Sequence, residues 1–253
     1  MKQLLAPKAA KVLSTAALML TLLAPTTIHA AGTGDKPAHT ADQPTAAQKQ
    51  ALQQKMKLVK EHEAKLAAKE AGGVVIMSDG ESKTISVPSY QQEKNYWCGP
   101  ATVKQILGAV NGSSETQTYY AGKLGTTTDG TDFSLVDNVL NDHQDTNNYV
   151  YRDFTSSEYA TWKSVMILTI DWGYPAALDL KITPQNMPLY TTTVEGHILN
   201  NSGYNLLDST NKKIRLTDPF DQGGRGVTLG NVWHPFDGVW AANQAHFRKA
   251  VIW

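Results

Sequence analysis

Cysteine is almost absent from this chain: Cys98 is the single one among 253 residues. No intramolecular disulfide is possible, so the fold has to hold by core packing. Charge of one sign is lacking as well. Lys+Arg 23 and Asp+Glu 23 cancel to a formal net charge of 0, with the positive charges scattered. There is no basic field of the kind that binds nucleic acid, and no nucleic-acid partner is expected. No HExxH, CxxC or regular acidic loop occurs, so neither a metal site nor a cofactor is expected. The stretch DQGGRG lacks the Gly-Lys-Ser/Thr ending of a phosphate loop and reads as a turn. Long apolar runs are missing too: the run from Val12 to Leu23 is too short for a comfortable membrane span.

What is present begins with a basic, then apolar, then small-residue start. Lys2, Lys8 and Lys11 precede the apolar run, and Ala30 follows it. Residues 1–30 therefore read as a secretory signal, with the mature chain starting near Ala31, secreted and without a stable span. No cysteine follows the run to accept a lipid.

Residues 31–44 are small, polar and Pro/Gly-containing, as in a linker. From Thr45 to Glu70, Leu52, Met56, Val59 and Leu66 recur at helical steps and the pattern stops at Gly72-Gly73. That is one amphipathic helix, read as a solvated stalk or as a propeptide or docking arm. Residues 31–72 hold seven Lys/Arg against five Asp/Glu, and residues 73–253 hold thirteen against eighteen. An arm at +2 facing a domain at −5 has charge as well as an apolar stripe to dock with.

After Gly73 the texture changes. GVVIM and KTISVPSY read as short strands, and CGPATVKQILGAV as a helix burying Ala101, Val103, Ile106 and Leu107. SETQTYYAGKL, TDFSLVDNVLND and SSEYATWKSVMILTIDWG are further helices. Beyond Tyr174 the pattern turns to strands: PAALDLKI, GHILNNSGYNLL, KKIRLTDPF and HFRKAVIW. Helices first and strands later predict an α+β domain over residues 73–253, a helical half packed on an antiparallel sheet.

The lone cysteine sits where a helix begins. A thiol there meets unpaired backbone N–H groups and the positive end of the dipole, both of which favour thiolate. Pro100 suits the first helical turn, and Gly99 is read as keeping the approach to the sulfur open. A small buried apolar role is the commoner fate of a cysteine, but it has no need of a Gly-Pro helix start. A nucleophile also requires a base, a group that orients the base, and donors for an oxyanion. Of His143, His197, His234 and His246, His197 opens a strand, and Asp218 closes the next one. A hairpin through DSTNKK brings the two to one end of the sheet, where the carboxylate accepts from the imidazole. His234, between Trp and Pro, reads as a packed loop residue. Tyr96, Trp97 and Trp253 read as packing, and Trp97 also as a groove wall.

QQEKNYWCGPA, GHILNNSGY and LTDPF resemble the glutamine–cysteine, histidine and aspartate boxes of stand-alone cysteine peptidases related to the bacteriocin-processing, double-glycine leader peptidases. The resemblance spans about residues 86–220 and implies a papain-like fold. It implies Cys98 as nucleophile, His197 as general base, Asp218 as its orienter and Gln92 as a side-chain oxyanion donor. Asn200 and Asn201 stand where such members have apolar residues, which predicts a partly solvent-facing strand. The function expected is a secreted, monomeric thiol hydrolase of peptide or isopeptide bonds, with a peptide or protein as its partner. A non-catalytic cell-surface binding module, or a cell-wall amidase or transferase using the same chemistry, are the alternatives.

Overall fold

The computed structural model describes residues 44–71 and 82–253. The proposed signal, the linker up to residue 43, the Gly72-Gly73 stop and the GVVIM strand lie outside the described residues. In chain order the elements are α1 (Ala46–Ala71), β1 (Ser82–Thr84), α2 (Cys98–Asn111), α3 (Gln117–Lys123), α4 (Val136–Asn141), β2 (Tyr151–Asp153) and α5 (Tyr159–Trp172). They continue with β3 (Ala177–Ile182), β4 (Val194–Asn205), β5 (Lys213–Asp218), β6 (Gly230–Pro235), α6 (Phe236–Ala245) and β7 (Ala250–Ile252).

The strands form one antiparallel sheet in the order β2-β7-β3-β4-β5-β6, with β1 added onto β4. Side chains alternate across it and separate two cores. Leu178, Leu180, Leu199, Ile214, Leu216 and Val251 pack with Trp162, Met166 and Ile170 of α5 and with Phe236 and Val239 of α6. On the opposite face, Ala177, Ile198, Ala250 and Ile252 pack with Val103, Ile106 and Leu107 of α2, Tyr120 of α3 and Val139 and Leu140 of α4. Each fully buried Ile or Leu in these cores contributes about 1.5–3 kcal/mol. This is the α+β class expected, helices packed on an antiparallel sheet.

Because helices cover both faces of β4, nearly the whole strand is buried. That corrects the expectation for Asn200 and Asn201, which are both 0% exposed. Their amides are internal connectors instead. Asn200 Nδ2 donates to Gln105 Oε1 of α2 at 2.8 Å. Asn201 Nδ2 donates to Met166 O at 3.2 Å and Thr169 Oγ1 at 3.1 Å, and its Oδ1 accepts from Ala176 N at 2.6 Å. The strand tolerates these polar residues because both ends of the Asn201 amide and the Asn200 Nδ2 find partners inside, with Asn200 Oδ1 alone left without one among the described residues.

α1 is docked on the domain and does not stand free as a stalk. Ala51 and Val59 are buried, and Leu52 and Met56 pack beside them against the α5 core. Polar ties flank this stripe: Gln48 Nε2 donates to Asp137 Oδ2 (3.0 Å) and Asn138 Oδ1 (2.8 Å), and Lys55 Nζ donates to Trp253 O (2.6 Å) and Asn147 Oδ1 (3.0 Å). Strands β2 and β6 and helix α6 were not expected. HFRKAVIW supplies only Ala250–Ile252, preceded by a turn in which Lys249 has φ 51.

Candidate active site

Helix α2 starts at Cys98, and Pro100 lies in its first turn, where a missing N–H costs nothing. The helix runs from there to a left-handed Gly112 with φ 75. Its start is pressed against β4: Ile198 N donates to Cys98 Sγ at 3.4 Å, and Thr102 Oγ1 donates to Ile198 O at 2.9 Å. Cys98 is fully buried. Gly99 serves this packing and not substrate access, because a Cβ there would stand 2.4 Å from Thr131 Oγ1. The glycine lets the connection before α4 close on the helix start.

The β4–β5 ladder pairs Asn200 with Thr217 and places His197 and Asp218 at one end of the sheet. His197 Nε2 lies 2.7 Å from Asp218 Oδ1, both side chains fully buried. Nδ1 of His197 has no nitrogen or oxygen partner, which leaves it for the Cys98 thiol. Burial on its own lowers the imidazole pKa, but the Asp218 carboxylate, followed by the interaction with Cys98, outweighs it and raises His197 to about 10. Phe220 stands edge-on to the imidazole, with ring centroids 5.8 Å apart.

Asp218 has further partners that the sequence did not disclose. Its Oδ1 also accepts from Phe220 N at 2.8 Å, and its Oδ2 accepts from the Tyr190 hydroxyl. Tyr190 is fully buried, in the connection between β3 and β4, where no periodic pattern singles it out. Burial, then the Asp218 charge, pushes its phenol well above the ordinary value, so it remains a donor.

Gln92 is held beside the same sheet end, its N donating to Pro219 O at 2.8 Å. Its Nε2 donates to Lys94 O at 2.9 Å, and Oε1 is buried without a partner. One hydrogen of that Nε2 is therefore engaged within the chain, and the amide has a second. Trp97 is nearly buried, with Lys94 Nζ 4.3 Å from its ring centroid.

The other histidines are placed elsewhere. His143 Nδ1 donates to Val139 O at 2.7 Å, so Nε2 accepts from the Tyr119 hydroxyl at 3.1 Å. His246 Nδ1 is 3.4 Å from Asp179 Oδ2, and burial takes its pKa down to about 4. His234 is packed as expected, but on strand β6 and not in a loop, with its ring centroid 6.3 Å from that of Tyr190. Burial lowers His234 to about 4, although the Asp218 charge opposes this. Among the described residues no group of His, Cys, Asp and Glu is arranged to hold a metal ion, and no helix is long and apolar enough to cross a membrane.

A family model described as the Peptidase_C39 like family matches residues 84–245, a span that holds all four of these site residues. No curated protein matches the chain by sequence. Among solved structures, the digestive procathepsin L 3 of Tenebrio molitor larval midgut is 12% identical, with 84% of this chain and 93% of that chain covered and a TM-score of 0.43. A recombinant stem bromelain precursor is 11% identical, with 66% of each chain covered and a TM-score of 0.39.

Proposed function

Since the chain belongs to the Peptidase_C39-like family, we propose that it is a secreted, thiol-dependent hydrolase of peptide or isopeptide bonds working through Cys98, His197 and Asp218. The observation that carries this reading is the junction of α2 and β4. It sets the one cysteine of the chain against the residue that follows His197, while His197 holds Asp218 at 2.7 Å. An imidazole raised to about 10 is protonated throughout the neutral range, and an imidazolium is the charge partner that a thiolate needs.

In the first half of the reaction Cys98 Sγ attacks the carbonyl carbon, and the oxygen takes up the electron pair. Gln92 Nε2 and the N–H of Cys98, in the first turn of α2, donate to that oxyanion. The tetrahedral species collapses to a thioester as His197 gives its proton to the leaving amine. Water then attacks the thioester with neutral His197 taking its proton, the tetrahedral species expels the Cys98 sulfur, and the thiolate and imidazolium are restored. Asp218 keeps the imidazole in one tautomer throughout. Lys94 O, which accepts from Gln92 Nε2 before substrate arrives, leaves the second amide hydrogen for the oxyanion.

Export is supported by the basic start and apolar run of residues 1–30. The test is incubation of the secreted protein and of Cys98→Ala with peptide and cell-wall fragment libraries, with products read by mass spectrometry. Cleavage products are expected from the wild type alone, and products from Cys98→Ala overturn the proposal.

A further inference from the structure

We propose that Tyr190 is a positioning residue of this site: it acts through Asp218, holding one carboxylate oxygen so that the other stays on His197. The inference rests on the Cys98–His197–Asp218 reading above.

Asp218 is fully buried, so each of its oxygens needs a donor from within the protein. Oδ1 has two, His197 Nε2 at 2.7 Å and Phe220 N at 2.8 Å. Oδ2 accepts from the Tyr190 hydroxyl. A carboxylate held at one oxygen alone turns about its Cβ–Cγ bond. Held at both, it has a single orientation.

The tyrosine is itself anchored on both sides of its place in the chain. Arg225 Nη2 donates to Leu189 O at 2.8 Å, Thr191 N donates to Gln222 Oε1 at 2.7 Å, and Gln222 Nε2 donates to Thr192 O at 3.0 Å. Gln222 and Arg225 belong to the turn that follows Asp218. The tyrosine's segment is thus tied to the segment whose carboxylate it holds, and the two move as a unit. Behind the phenol lies His234, fully buried, with no hydrogen-bond partner at either ring nitrogen among the described residues. It is a neutral wall at ordinary pH, and it puts no competing cation beside Asp218. The titratable groups around the carboxylate are thus His197 on β4, Tyr190 on the β3–β4 connection, His234 on β6 and Cys98 on α2.

Tyr190→Phe keeps the ring and removes the donor. kcat/KM on a cleaved peptide is expected to fall about ten- to a hundred-fold, the effect of losing one hydrogen bond to a charged group. The alkaline limb of the pH profile moves to lower pH, because a carboxylate no longer held at Oδ2 sits less squarely on the His197 imidazolium whose proton it stabilises. A merely structural tyrosine lowers the rate without moving either limb. In an Asp218→Asn background, adding Tyr190→Phe changes the rate by less than about two-fold if Tyr190 acts through Asp218, and multiplies the losses if it does not. Circular dichroism checks that each variant is folded, and Asp218→Ala replaces Asp218→Asn if the latter is not. A full-rate Tyr190→Phe beside an impaired Asp218→Asn sinks this inference alone. A full-rate Asp218→Asn sinks the triad reading beneath it.

Discussion

The His197–Asp218 contact sets the pH behaviour at the residue scale. His197 has a folded pKa of about 10, above the ordinary 6.5, with the Asp218 charge as the cause that raises it. Its contribution to stability is therefore full below 6.5 and is lost as pH rises through about 10. In Asp218→Asn that raising charge is gone, so the alkaline limb of kcat/KM moves down towards neutrality while the protein stays folded. An unmoved limb in a pH-rate profile takes Asp218 away from His197. Asn201 makes a second residue-level test. Asn201→Leu strips the partner from Ala176 N and takes one donor from Met166 O and one from Thr169 Oγ1, and urea unfolding should show a loss of about 2–4 kcal/mol. The sequence reading paired His197 with Asp218 correctly because both lie on adjacent strands of one hairpin, a local relation. It did not find Tyr190, and it turned Asn201 to solvent. Their partners lie 28 and 32 residues away in the chain, where no spacing rule reaches.

At the scale of elements, the helix starts and stops were readable: Pro100 and Gly112 frame α2, and Gly173 with φ 87 ends α5. What the helices rest on was not. Gly99 shows the difference, being part of a recognisable motif whose tight neighbour is Thr131 on another segment. Gly99→Ala is expected to displace the start of α2 and lower kcat/KM by about a hundred-fold with the fold retained. Unchanged kinetics there would mean that the helix start absorbs a methyl group without moving Cys98. The stripe on α1 was likewise visible, but not its dock. Lys55 is the handle on that dock, since burial brings its pKa down from 10.5 to about 7. The docked lysine resists the proton that an undocked one accepts, so docking is strongest above 10.5 and weakens as pH falls, reaching its limit near 7. Thermal melts of wild type and Lys55→Met should therefore diverge as pH rises across that window, with wild type gaining. A constant difference would take Lys55 out of the docking energetics.

For the whole molecule, the α+β class followed from the order of patterns, helices early and strands late. The sheet's edge elements did not follow. β6 is hidden in the Gly-rich GRGVTLGNVWHP, and α6 begins at Phe236 directly after the strand's Pro235, with no polar N-cap to announce it. The two-faced sheet has a functional consequence. It allows β4 to meet α2 on one side and α5 on the other, and so fixes the distance between a helix-borne thiol and a strand-borne imidazole. Rigid elements on both sides are what a preorganised site requires. On the proposed function that arrangement pairs Cys98 as nucleophile with His197, and the measurement that tests the proposal most directly needs no substrate. Iodoacetamide alkylation of the folded protein is followed by intact mass across the pH range, with the modified residue located by peptide mapping. The prediction is rapid single labelling at Cys98 already near neutral pH, with the rate sharply reduced in His197→Ala. Labelling that waits until the protein is unfolded, or that proceeds equally fast in His197→Ala, contradicts it.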